Sequence, residues 1–138
     1  MNYRTVDHGW FGRSMVIWWK VPVIWRWISW MRVPSVYLRT DDPWTLVHEM
    51  VHVPQCYKAG AFRWIFGHLF SASYRLKHEG PATAAVIKAK VDTGGYEPAG
   101  LIAYYAAIYP QSYRLGSKWS TEELVEILEG YYDEVSNA

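Results

Sequence analysis

The sequence predicts an α+β fold, mainly helical, with a short N-terminal β-sheet and one helix carrying a metal-binding motif. Three observations lead there. Residues 15–38 are rich in Val, Ile and Trp and punctuated by Pro22 and Pro34, a composition that favours short strands. From Asp42 onward, capping residues and helical periodicities recur to the end of the chain. The string His48-Glu49-Met50-Val51-His52 then sets two imidazoles one helical turn apart around a glutamate.

The chain has 138 residues, half of them hydrophobic and 17% aromatic, with nine Trp and eleven Tyr. That length suits a single domain, 1–138, with an aromatic strand region over 1–40 and a helical catalytic region over 41–138. A net charge of +1 gives no case for nucleic acid as a partner. The single cysteine, Cys56, excludes an intramolecular disulfide and reads as a small buried residue. No secretory signal and no apolar run long enough for a membrane span are evident, so a cytoplasmic protein is expected. Packaging into a virion would leave no mark in the sequence.

Within residues 15–38, five tryptophans fall between Trp18 and Trp30. Strands are expected here, although Ile24, Trp27, Ile28 and Met31 also fit a helical stripe. Val36-Tyr37-Leu38 reads as the last strand. The aromatic side chains suit core packing, a partner- or substrate-binding edge, or peripheral contact with a membrane headgroup layer.

The first helix begins at Asp42, an N-cap, with Pro43 in the first helical position, and Gly60 ends it. Trp44, Val47, Met50 and Val51 are expected to be buried, while His48, His52, Gln55 and Ala59 share another face. Pro54 should kink or loosen the helix. Ala61 to Phe70 is expected to form a short aromatic second helix or a tight hydrophobic connection. A third is expected from Glu79 to Val91, with Pro81 in its first turn and Gly94-Gly95 stopping it. A fourth runs from Pro98 to Tyr109 and ends at Pro110. In the last, Ser120 and Glu123 form a capping box ahead of the stripe Leu124, Ile127, Leu128 and Tyr131.

A catalytic zinc ion takes three protein ligands and leaves a position for water. His48 and His52 supply two. Glu79, Asp92, Glu97, His68 and His78 are the downstream candidates for the third. Glu49, beside the first histidine, is placed to take a proton from water.

The run from Leu46 to Gln55, followed by Gly60, resembles the small gluzincin-like, zincin-fold metalloproteases of bacteria and phages, which carry H-E-x-x-H-x-x-Q. In that family Tyr-Arg and then Glu-x-x-Ala follow, matched here by Tyr74-Arg75 and Glu79-Gly80-Pro81-Ala82. The resemblance covers residues 36–90. It implies Zn2+ as cofactor, Glu79 as the third ligand, and a peptide or protein as substrate. Pro54 and Gly80-Pro81 depart from the family pattern and bear most on the register of Glu79. Gln55 is a candidate for orienting a ligand, and Tyr74, His78, Tyr104 or Tyr105 for polarising the substrate carbonyl. Two other readings remain open: a hydrolase acting on another amide, such as one in a cell wall, and a non-catalytic interaction module using the Trp-rich surface.

Overall fold

The computed structural model describes residues 42–138, together with the backbone of β1 (Arg4–Asp7), β2 (Met15–Val21) and β3 (Met31–Leu38). These three stretches pair in the order β1-β3-β2, parallel on one side and antiparallel on the other. The expected roles of the tryptophan side chains between Trp18 and Trp30 lie outside the described residues.

From residue 42 onward the chain is all-α, with 82% of residues helical and no strand or sheet. The elements are α1 (Pro43–Ala59), α2 (Ala61–Phe70), α3 (Ala72–Asp92), α4 (Pro98–Ser112) and α5 (Thr121–Asn137). This corrects the α+β expectation: the fold of the described residues from 42 onward is helical throughout, and the N-terminal sheet does not set its class. An α+β domain shares one core between sheet and helices. The core of the described residues is built by helices and their connections alone. No described helix is long and apolar enough to cross a membrane.

The chain divides into two compact units, Met1–Ile65 and Phe66–Ala138. In the first, α1 starts as its sequence dictates. Asp42 accepts from the Thr45 amide at 3.2 Å and from its hydroxyl at 3.0 Å, and Pro43 needs no amide partner. Gly60 closes the helix at φ +79°, its N–H donating to the Cys56 carbonyl. The helix continues through Pro54 to Ala59.

The buried face of α1 differs from expectation. Trp44, Val47, Met50 and Val51 are only half-buried, whereas Glu49, His52, Val53 and Cys56 are buried. Apolar residues lie almost all round this helix, so periodicity could not select the inward stripe. The protein buries the stripe that carries its polar chemistry.

The second unit is a bundle of α3, α4 and α5. Its core joins Leu76 and Ile87 of α3 to Ile102, Ala106 and Tyr109 of α4, Leu124 and Leu128 of α5, and Leu115. Helix α3 begins seven residues before the expected start, because Ser71 caps it by accepting from the Tyr74 amide at 3.1 Å. Glu79 is therefore mid-helix, and Pro81 sits in the helix interior instead of its first turn. An interior proline costs about 3 kcal/mol or more. Packing outweighs it here: Glu79, Gly80, Ala82, Thr83, Ala84, Val86 and Ile87 are all buried.

Small residues let the neighbours close in on this face. The ring of Tyr131 in α5 occupies the space that a Cβ on Gly80 would need. Helix α4 likewise passes the expected stop at Pro110 and ends at Ser112. Helix α5 has both bonds of its capping box, Glu123 N–H to Ser120 Oγ at 3.2 Å and Ser120 N–H to Glu123 Oε2 at 2.7 Å.

Candidate metal centre

Helix α1 sets His48 and His52 on one face, one turn apart. Their Nε2 atoms lie 3.2 Å apart, with the rings edge to face at 4.9 Å between centroids. His52 Nδ1 is 2.8 Å from Gln55 Oε1. A carbonyl oxygen only accepts, so Nδ1 carries the proton and Nε2 of a neutral His52 presents its lone pair. Orientation of a ligating imidazole through its other nitrogen is the usual support of a metal site.

The Nε2 separation is itself informative. Two nitrogens bound to one tetrahedral ion at 2.0–2.1 Å stand roughly 3.3 Å apart. The spacing in α1 therefore suits a shared ion without rearrangement of the helix. Without a metal, the same geometry is an N–H···N hydrogen bond from His48 to His52.

His52 is 4% exposed and also meets Trp64 edge to face at 5.6 Å. Glu49, beside His48, is 5% exposed. Cys56 is fully buried, and burial pushes its thiol up to about 12. A thiol held so firmly protonated is a poor nucleophile near neutral pH.

In the second unit, Glu79 is buried in the middle of α3. Its Oε1 lies 3.8 Å from His68 Nε2. His68, Tyr74 and His78 form a ring cluster, with centroids 5.2 Å apart for His68–Tyr74, 5.6 Å for His68–His78 and 4.1 Å for Tyr74–His78. His78 Nδ1 donates to the Tyr74 carbonyl at 2.8 Å, which leaves its Nε2 as an acceptor in the neutral ring. The other sequence candidates do not join this cluster. Glu97 is exposed as the N-cap of α4, Asp92 is exposed and paired with Lys88, and Tyr104 is exposed. The Tyr105 hydroxyl takes a hydrogen bond from Lys90 at 3.3 Å.

One group escaped the sequence reading. Tyr109 is fully buried, and its hydroxyl lies 2.9 Å from the Glu79 carbonyl and 2.6 Å from Thr83 Oγ1. Burial, before the neighbouring Tyr113 and Glu79, pushes this phenol well above its usual range, so it stays a neutral donor. It braces the turn of α3 that carries Glu79. The signal was in the spacing: Ile102, Ala106 and Tyr109 at i, i+4 and i+7 share the buried face of α4.

No known protein family, curated protein or solved structure matches this chain.

Proposed function

We propose that the chain is a zinc-dependent metallopeptidase in which His48, His52 and Glu79 hold the metal and Glu49 is the general base. The observation that carries this reading is the 3.2 Å Nε2 separation, with His52 oriented by Gln55. Further support comes from the motif resemblance, which implies Glu79 as the carboxylate ligand beside the two histidines. Two neutral imidazoles and one carboxylate suit zinc and leave a coordination position for water.

Bound zinc supplies Lewis acidity, which brings the pKa of water to about 7 and polarises a carbonyl. Glu49 takes up the proton of the attacking water and delivers it to the leaving amine. Tyr74 is the better candidate for donating to the carbonyl oxygen, because its hydroxyl donates in the neutral form whereas a neutral His78 presents an acceptor. Peptide or protein is the proposed substrate class, and the cytoplasm the proposed place of action.

The test is metal content by elemental analysis of wild type, His48→Ala, Glu79→Ala and Glu49→Gln. One zinc per chain is expected in wild type and Glu49→Gln, with loss from both ligand variants. Glu49→Gln should also abolish peptide hydrolysis by a factor of at least about a hundred. No zinc uptake by wild type, or full hydrolysis by Glu49→Gln, overturns the reading.

A further inference from the structure

Glu79 is a carboxylate buried in the middle of α3, and a buried carboxylate needs polar company to be stable there. His68, in the last turn of α2, supplies part of it. Its Nε2 stands 3.8 Å from Glu79 Oε1, with both side chains largely shielded from water, 23% and 11% exposed. That distance is longer than a hydrogen bond, yet the attraction between an N–H dipole or an imidazolium and a carboxylate is strong where water is scarce.

The corner between α2 and α3 fixes where the His68 ring stands. Arg75 Nη1 donates to the His68 carbonyl at 2.7 Å, and the Ser71 amide donates to the Gly67 carbonyl at 3.0 Å. The ring of Tyr74 occupies the space that a Cβ on Gly67 would need, so the last turn of α2 lies directly on α3. His68 then meets Tyr74 edge to face at 5.2 Å. The His78 ring lies 5.6 Å away, held by its Nδ1 on the Tyr74 carbonyl at 2.8 Å. With its backbone pinned and its ring walled, His68 is pre-organised toward Glu79.

We propose that His68 is the positioning residue of Glu79, its Nε2–H holding the carboxylate in the orientation in which it binds metal. A carboxylate only accepts, so the nitrogen that faces it carries the proton. Ligating carboxylates are ordinarily held by such an outer donor, and loss of the donor weakens the metal without removing it. The metal-binding part of the proposal rests on the peptidase reading. The pairing of His68 with Glu79 does not, because both residues belong to the second unit.

The test uses the full chain, first without zinc and then with it. Long-range proton–nitrogen spectra of the zinc-free protein, with the His68 ring assigned through His68→Gln, should show its proton on Nε2. Glu79→Gln should shift those ring nitrogens. A ring protonated on Nδ1 alone, or indifferent to Glu79→Gln, overturns the proposal whatever zinc does. With zinc, His68→Ala should still take up one ion per chain at saturation, but about tenfold more weakly in competition with a chelator. His68→Gln keeps an N–H donor and should recover most of that loss. Unchanged affinity in His68→Ala overturns the positioning role, and complete loss of zinc overturns it in favour of His68 as a ligand. Wild type that takes up no zinc sinks the peptidase reading and the metal role with it, and the zinc-free spectra then decide the pairing alone.

Discussion

Helices α1 and α3 each place a buried candidate ligand two residues before an interior proline, His52 before Pro54 and Glu79 before Pro81, but they hold it differently. In α1 the support is local. Asp42 and Gly60 fix the ends, and Gln55, less than one turn on, orients the His52 ring. In α3 it is tertiary: Tyr109 hydrogen-bonds the Glu79 carbonyl from 30 residues away, and Tyr131 seats its ring against Gly80. One candidate ligand is thus held by short-range spacing and the other by the packing of a bundle.

That contrast can be broken by substitution. The largest effect is expected at Gly80. In Gly80→Ala the new methyl meets the Tyr131 ring, and the overpacking should cost about 1–3 kcal/mol in chemical denaturation. Gly130→Ala in α5 is the control, because its Cβ meets nothing within 4 Å; it should stabilise by about 0.5–1 kcal/mol. Equal effects at the two glycines would remove the tertiary argument for α3.

Tyr109→Phe comes next. It deletes a buried donor and leaves Thr83 and the Glu79 carbonyl short of a partner, at a cost of about 1–2 kcal/mol. If Tyr109 positions Glu79, zinc affinity should also fall about tenfold, measured by competition with a chelator. Gln55→Ala should match that loss of affinity with little change in melting, since the side chain is only half-buried. Loss of stability without loss of affinity in Tyr109→Phe would make the brace purely structural.

The last effect shows only at alkaline pH. The Cys56 thiol has a folded pKa of about 12 against an ordinary 9.0, so the unfolded chain releases this proton first as pH rises. The stability that goes with the protonated thiol is complete below pH 9 and is lost between 9 and 12. Cys56→Ala should flatten the alkaline slope of stability over that window. In the native protein the thiol should also resist alkylating reagents until unfolding.

Local signals were legible wherever a short-range bond fixes the structure. Asp42, Pro43, Gly60 and the Ser120–Glu123 capping box each act within three or four residues of their partners. The start of α3 was not legible. Glu79 and Pro81 imitate a first helical turn, whereas the true cap, Ser71, has no acidic residue behind it. The buried face of α1 was hidden for a related reason, because apolar residues surround the whole helix. The α+β expectation rested on β-propensity in residues 15–38, a local preference that says nothing of the helical packing from residue 42 onward. For the candidate centre, spacing found His48, Glu49 and His52, and the motif resemblance pointed to Glu79. Only the packing of α4 on α3 reveals Tyr109.

The joint made by Arg75 has a consequence of its own. Its guanidinium donates to the carbonyls of His68 and Leu69 at the end of α2, and to those of Tyr113 and Arg114 after α4. Every acceptor is a peptide oxygen, and none is a carboxylate. Acidification therefore cannot discharge this clasp as it would an ion pair, and lysine, with a single nitrogen, cannot reproduce its fork. The seam between the end of α2 and the 113–116 turn should therefore keep these bonds as the pH falls.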